Sequence, residues 1–585
     1  MLLPILVSVL PVFSEPATSS GPASTDLLRF VPRDALLVAH TAPLDTLRAD
    51  VRANAWWQLA TDPTFASLWQ HVEAQNAELA SQLDGLDPRV LCESIHGQTA
   101  MFVASDATLD HATIGFLVEP GADATGFDAF VSAVRTKVSV HLRAEQDSHA
   151  GITYELWGSK SSDTDVATGD DPSGVAFVRC GGVAALLVDE DASELRAAAH
   201  GLIDRVQAGG VEPSMATHPG LLEARGQAHG QARAEFFLDL APIGRKALAE
   251  AGSDDAGGRW VRELGLADMR WVHARADFGS GENLDLEVAV KLSPTGALTS
   301  WLSALHVPSS KLHAKIPADA VGLSLAGFDV HGLWNDVWAT FGRVDEQEQA
   351  SAQRQLAQVS QAMGGLDFER DVISQFSGEF ASFTLEVPKE EAAAVLGMGM
   401  FGGVTEAQLD GLPSLGEVFV IGVRDPLALE GTLEELFGLI GIGELIASDD
   451  VEGQEVYYAE LGDSARMSWW FGNDCVALSA YPTALRKTVV HAGKTGAPSA
   501  ATDPRFAKAL AENSDACSLS IASTPTMIKS VGGVVQYLMS MEDAALAGAV
   551  SAVDWKALVD RYVKGTTTCT VRHQGGELRM HLRTR

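Results

Sequence analysis

Val31-Pro32-Arg33-Asp34-Ala35-Leu36 and Ile316-Pro317-Ala318-Asp319-Ala320-Val321 share one pattern, and they occur in a single chain of 585 residues. Matching landmarks follow in the same order after each. Gly85-Leu86-Asp87 and Gly365-Leu366-Asp367 both precede an apolar stretch, a glycine (Gly97, Gly378) and a strand signal, Thr99 to Ala104 and Glu379 to Leu385. Ile114 to Val118 answers Val418 to Val423, and Tyr154-Glu155-Leu156 answers Tyr458-Ala459-Glu460-Leu461. Thr217-His218-Pro219 answers Thr502-Asp503-Pro504, and Phe236 to Pro242 answers Leu519 to Pro525. The offset stays at roughly 280–300 residues, which one duplicated unit explains. The recurring residues are apolar, Gly, Pro and turn-forming Asp, so the repeat speaks to build rather than to reaction.

Length and composition agree with two units. A chain this long exceeds a single hydrophobic core, and 46% hydrophobic with 20% charged residues is globular composition. The expected division is a signal peptide over residues 1–14, a flexible leader over 15–25, a first repeat domain over 26–295, a linker over 296–313 and a second repeat domain over 314–585. The leader reading rests on the apolar stretch Leu2 to Val12, with Val12-Phe13-Ser14 suited to cleavage and Glu15 to Thr25 rich in Ser, Pro, Ala and Thr. No basic residue precedes that stretch, and Pro4 and Pro11 interrupt it. After it no run of about eighteen apolar residues occurs, so no internal membrane span is expected.

Charge narrows the partners. The 77 acidic residues against 42 basic give a formal net charge of −35, which opposes binding to nucleic acid or anionic membranes. Asp163-Thr164-Asp165 with Asp170-Asp171, and Asp449-Asp450 with Glu452, are acidic clusters in turn-like sequence. Neither has the ligand spacing of a calcium loop, so both read as solvated loops. The five cysteines, Cys92, Cys180, Cys475, Cys517 and Cys569, share no zinc spacing. One disulfide among the last three is conceivable in an exported chain.

Short, partly alternating strand signals joined by Gly or Asp turns favour antiparallel pairing. Cys180-Gly181-Gly182 and Gly472-Asn473-Asp474 read as equivalent hairpin turns that use the conformational freedom of Gly and Asn. Gly279 to Asn283 and Gln574 to Glu577 join the closing strands of each copy. Leu44 to Ala60 reads as a helix that stops at Thr61-Asp62-Pro63, and Val330 to Phe341 takes its place in the second copy. The fold class is therefore α+β: two similar tandem domains, each a large, mainly antiparallel sheet covered by helices. Trp56, Trp57, Trp334 and Trp338 on these helices read either as core against the sheet or as a ligand or partner surface.

Catalytic and cofactor signals fail one by one. Gly397-Met398-Gly399-Met400-Phe401-Gly402 matches G-x-G-x-x-G, yet Lys389 to Leu396 before it reads as a helix, where a dinucleotide site needs a strand. Met398, Met400 and Phe401 read instead as an apolar insertion suited to contact a ligand or partner. There is no G-x-S-x-G elbow, no H-E-x-x-H and no Walker loop. No catalytic, cofactor-binding or metal residue is nominated, and no cofactor is implied. His40 falls on the first strand opposite Leu325 in the second copy, which suits a structural histidine. Glu155 and Glu460 recur in strands, a solvent-facing position as a rule.

The V-P-x-D-A strand, the Trp-bearing helix ending in T-D-P-x-F, the G-L-D followed by a G-x-x-A-x-F strand, and the signal-like leader together resemble a family of bacterial exported proteins that contain a domain of unknown function. The resemblance covers most of the chain and implies a periplasmic, envelope-associated or secreted location. It transfers no functional residue. The expected function is a non-catalytic binding or scaffolding module for an apolar ligand or an envelope partner; the alternative is a hydrolase or other enzyme with a site in the cleft between the repeats.

Overall fold

A computed structural model describes residues 26–66, 70, 93–105, 109, 111–121, 124–159, 174–211, 213–226, 232–252, 255–308, 311–398, 414–460, 466–528, 553 and 555–585. The signal-like leader, Cys92 and the Asp163 to Asp171 cluster lie outside them. The chain forms two compact units, Met1–Glu250 with Ala267–Lys291, and Ala251–Leu266 with Leu292–Arg585. The stretch expected as a linker is folded: Gly296 precedes a helix over Ala297–Ser303, and Ala297 and Leu312 are buried.

The first unit contains β1 (Ala35–Thr41), β2 (Thr99–Ser105), β3 (Ala112–Val118), β4 (Leu142–His149), β5 (Ile152–Ser159), β6 (Gly174–Cys180), β7 (Val183–Asp189), β8 (Ala234–Asp239), β9 (Trp271–Phe278) and β10 (Leu284–Lys291). They pair antiparallel in the order β4-β5-β6-β7-β3-β2-β1-β8-β9-β10. The second unit opens with the two-residue β11 (Leu305–His306). It continues with β12 (Gly322–Phe328), β13 (Phe376–Glu386), β14 (Leu415–Val423), β15 (Ile446–Val451), β16 (Gln454–Glu460), β17 (Arg466–Phe471), β18 (Cys475–Ser479), β19 (Ser518–Ser523), β20 (Thr566–Gln574) and β21 (Glu577–Thr584). Here the antiparallel order is β15-β16-β17-β18-β14-β13-β12-β19-β20-β21, the same order strand for strand.

The opening pattern is bonded alike in both units. Ala35 N donates to Pro32 O at 3.2 Å and Met215 N to Val31 O at 3.1 Å; Ala320 N donates to Pro317 O at 3.2 Å and Ala500 N to Ile316 O at 2.9 Å. Pro32 bridges to Ser214 and Pro317 to Ser499. Each of those serines closes a small ring with the threonine three residues on, Thr217 or Thr502, whose hydroxyl donates to the serine carbonyl. The T-x-P landmarks recur because this turn needs that hydroxyl.

Residues along a strand alternate between sheet faces. On the front face of the first unit, Leu117, Tyr154, Leu156, Ala176, Val178 and Leu187 form one buried core. Over it lies the helix Ala192–Gln207, started by Asp191 accepting from Ser193 N and Glu194 N. Its Leu195, Ala199, Leu202 and Ile203 recur at helical spacing and are all buried. The back face carries Phe116, Val118, Phe177 and Ala184 and meets α1 (Thr125–His141) through Phe127 and Val131. In the second unit Pro482–Ala492 covers the front face, burying Leu485 and Val489. The back face there meets α2 (Pro426–Leu439), where Leu429 and Leu433 pack with Val423, Val476 and Leu478.

Two local expectations are corrected, and the cysteine state is settled for the described residues. Leu44 to Ala60 is not one helix: Leu44–Ala53 and Ala55–Ala60 are separated by Asn54, held extended at φ −82°. The side chain of Asn54 accepts from Trp56 N and donates to the carbonyls of Gly279 and Asn283, which outweighs one helical turn. Gly181 and Gly182 do take left-handed angles, φ 56° and 85°, whereas Gly472-Asn473-Asp474 takes none. Gly472 is required for space, since a Cβ there would stand 2.7 Å from the Trp470 ring. The cysteines Cys475, Cys517 and Cys569 are all free, as is Cys180, so no disulfide joins them.

Two hairpins fix the residue-level match between the units. His149 faces Ile152 across Ala150-Gly151, and Val451 faces Gln454 across Glu452-Gly453, with φ 50°, 80°, 52° and 82° at the four turn residues. This register sets Glu155 opposite Phe177 and Tyr457 opposite Trp469, so the counterpart of Glu155 is Tyr457 and not Glu460. Glu452 is a non-glycine residue in a left-handed turn, a conformation that Asn tolerates better. Glu452→Asn is expected to raise stability by about 0.5–1 kcal/mol, read as a higher urea midpoint at unchanged slope.

Candidate functional site

The back face of the first unit is incompletely filled. Beneath α1 lies a cavity of ≈310 Å³. Phe127, Phe130 and Val134 reach it from the helix, and Phe116, Trp157 and Phe177 from the sheet. The helix places its residues there because 127, 130, 131 and 134 follow the one-face spacing of an amphipathic helix. Among the described residues, Arg135 is the one charged residue in the lining. Its guanidinium stands 4.9 Å from the centroid of the Phe177 ring, and its Nε donates to Glu155 Oε2 at 2.9 Å. Trp157 Nε1 donates to the same oxygen at 3.3 Å. Glu155 is therefore half-buried in an ion pair against α1, and not on a solvent-facing strand position as expected. The polar atoms of the wall satisfy one another, and the interior that remains is apolar. Its size lies at the lower end of small-molecule pockets, roughly 300–1,000 Å³.

A second cluster sits in the front-face core of the same unit. Arg225 donates to both carboxylate oxygens of Glu235, through Nε to Oε1 at 2.8 Å and through a terminal nitrogen to Oε2. His273 Nε2 lies 2.9 Å from Glu235 Oε1, and His273 is 1% exposed. Burial alone would raise the Glu235 pKa, but the hydrogen bonds and charges of Arg225 and His273 outweigh it and bring it down to about 2. In the second unit the same ladder positions carry apolar or hydroxyl residues. Leu519 faces Leu325 and Thr570 as Glu235 faces His40 and Arg275, and Thr568 faces Ile521 as His273 faces Phe237. The fold thus forms without the charged trio.

A third cluster lies where the helix Ala192–Gln207 meets β4 and β5. The Tyr154 hydroxyl donates to Asp147 Oδ2 at 3.0 Å and lies 2.8 Å from His200 Nε2, and Arg196 donates to Asp147 at 2.8 Å. His200 stacks on His149 at 4.1 Å, and His149 lies 2.8 Å from Asp204. Burial, followed by the Asp147 hydrogen bond and charge, pushes the Tyr154 phenol up to about 12. Hydrogen bonds from Ser148 N, Arg196 and Tyr154 hold the Asp147 carboxyl below its ordinary value. These shifts favour a neutral phenol and an ionised carboxylate at neutral pH, the resting forms and not those of a phenolate nucleophile or a carboxylic acid donor.

The four tryptophans read either as core or as a ligand or partner surface are all half-buried. Trp56 and Trp57 are half-buried on Ala55–Ala60 in the first unit. Trp334 and Trp338 lie on the helix Val330–Val344 of the second, half-buried in a ladder of rings. Trp334 meets Trp338 and Phe368, each at 5.7 Å, and Trp338 meets Phe341 at 6.1 Å. Trp334, Trp338 and Phe341 lie along one helix and Phe368 comes from Phe368–Val372, and none of the four tryptophans lines either back-face cavity. Met398 ends the helix Lys389–Met398, while Met400 and Phe401 lie outside the described residues. Asp449 of the acidic cluster pairs with Arg466 and Arg486 at 3.3 and 3.2 Å. Among the described residues no group of His, Cys, Asp and Glu is placed to hold a metal ion, and no helix is long and apolar enough to cross a membrane. Comparison with protein-family models, with curated proteins and with solved structures finds no match in any of the three.

Proposed function

We propose that this chain is an exported, non-catalytic protein built from two tandem copies of one domain, and that its first unit binds an apolar ligand under α1. The cavity between Phe127, Phe130 and Val134 and the back face of the sheet carries this reading. An apolar chain fits it, because the Arg135–Glu155 pair and Trp157 leave no polar atom in need of a partner there. The identical strand orders and the identically bonded opening turns support duplication. The location follows from the signal-like leader and from the resemblance to exported proteins.

The test is displacement of a fluorescent apolar probe, an aryl-naphthylamine, by medium-chain alcohols and fatty acids from the full-length protein. Saturable binding is expected. Val134→Trp, which adds an indole from a half-buried helix position into the cavity, is expected to weaken it by about tenfold or more without lowering the thermal midpoint. Undiminished binding in a folded Val134→Trp variant, or no saturable binding by the wild type, rejects the site.

A further inference from the structure

The second unit has a cavity in the corresponding place, with the opposite chemistry. Beneath α2, against β15, β16 and β17, lies a space of ≈260 Å³. Its walls include Phe437, Tyr457, Trp469 and Phe471, with Glu430 and Glu434 from the helix. The rings form one set: Tyr457 stacks on Trp469 at 6.1 Å, Phe471 stands edge-on to Tyr457 at 6.2 Å, and Phe437 meets Trp469 at 6.0 Å. Burial, then the hydrogen bond and charge of Glu430 and the charges of Glu455 and Glu434, raise the Tyr457 phenol far above its ordinary value. Among the described residues, no lysine, arginine or histidine is in the lining. Where the first unit sets Arg135 against Glu155, the second sets Glu430 against Tyr457, so the helix charge at this place is reversed.

We propose that this cavity binds a quaternary ammonium group. Aromatic ring faces carry partial negative charge and attract a desolvated cation, and carboxylates at the rim add long-range attraction. A calcium ion would need six to eight oxygen ligands, and two carboxylates among four rings do not supply them. A primary ammonium would need hydrogen-bond acceptors on three sides, whereas a trimethylammonium needs only contact with ring faces. The formal net charge of −35 favours the approach of any cation. The site is independent of the apolar cavity in ligand and in unit, so either can fail alone.

Isothermal titration of the full-length protein with choline and tetramethylammonium tests it. 3,3-Dimethylbutan-1-ol serves as the neutral isostere of choline and calcium chloride as the metal control. Saturable binding of both ammonium ions is expected, with the alcohol at least about tenfold weaker. Trp469→Leu and Glu430→Gln are each expected to weaken choline binding by about tenfold. Glu430→Gln keeps the side-chain shape, so it decides the matter should Trp469→Leu disturb folding. Sedimentation with phosphatidylcholine vesicles separates a lipid headgroup from free choline as the source. Equal binding of the alcohol, saturation by calcium in place of ammonium, or no saturable binding overturns the proposal.

Discussion

Glu235→Ala is expected to destabilise the protein by about 3 kcal/mol, the cost of leaving the half-buried Arg225 guanidinium and the buried His273 ring without the carboxylate they share. Arg225 would lose both of its bonds to the carboxylate, and His273, 1% exposed, its Nε2 partner. The same pair predicts a pH dependence. The Glu235 pKa falls on folding from about 4.5 to about 2, so its contribution is complete above pH 4.5 and is lost as pH falls toward 2. That difference corresponds to about 3 kcal/mol. Glu235→Gln should flatten the acid limb of the urea stability curve over this range, and an unchanged limb would refute the assignment. The second unit supplies the converse experiment. Leu510 follows Thr502 by eight residues as Arg225 follows Thr217, so Arg225→Leu, Glu235→Leu and His273→Thr together install the residues found at Leu510, Leu519 and Thr568. Replacing all three at once is expected to be neutral or stabilising by about 1–4 kcal/mol, in contrast to the single change.

Phe237→Ala is expected to cost about 3–5 kcal/mol. The ring is fully buried in the front-face core, edge-on to His218 at 5.3 Å and tilted against Trp271 at 6.5 Å. Phe237 and Trp271 stand on strands that are each paired on both sides, so the backbone beneath the ring cannot move in to fill the space it leaves. Equilibrium unfolding in urea gives the number. A loss below about 1 kcal/mol would mean that the site collapses as a well-packed core does not.

Much of this architecture is legible in the chain. The phrase at Val31 and Ile316 marks a turn whose bonds need a proline, a small residue and a distant serine–threonine pair, and each of those leaves a trace in sequence. Strand positions follow from alternation, and hairpins from paired glycines. What escaped depends on contacts distant in sequence. Asn54 breaks a helix because Gly279 and Asn283 offer it carbonyls, which local spacing does not reveal. Glu155 was matched to Glu460 through the similar words around them, yet the Ala150-Gly151 and Glu452-Gly453 turns set the register three residues away. Arg225, Glu235 and His273 lie on one helix and two strands, without a spacing that would draw the eye. The back-face cavity did leave a signal in Phe127, Phe130, Val131 and Val134, a helical stripe in addition to those needed for the front core. Trp334 and Trp338 meet other rings along and beside their own helix, because a large flat ring satisfies a helix neighbour as readily as a ligand.

The four described thiols bear on how the protein can be handled. Burial raises the Cys475 thiol to about 11, and the Cys180 and Cys569 thiols are pushed up for the same reason. Since the thiolate is the species that attacks disulfides and is captured by oxidants, Cys180, Cys475 and Cys569 react slowly while the chain stays folded. Their alkylation by iodoacetamide therefore becomes a clock for unfolding.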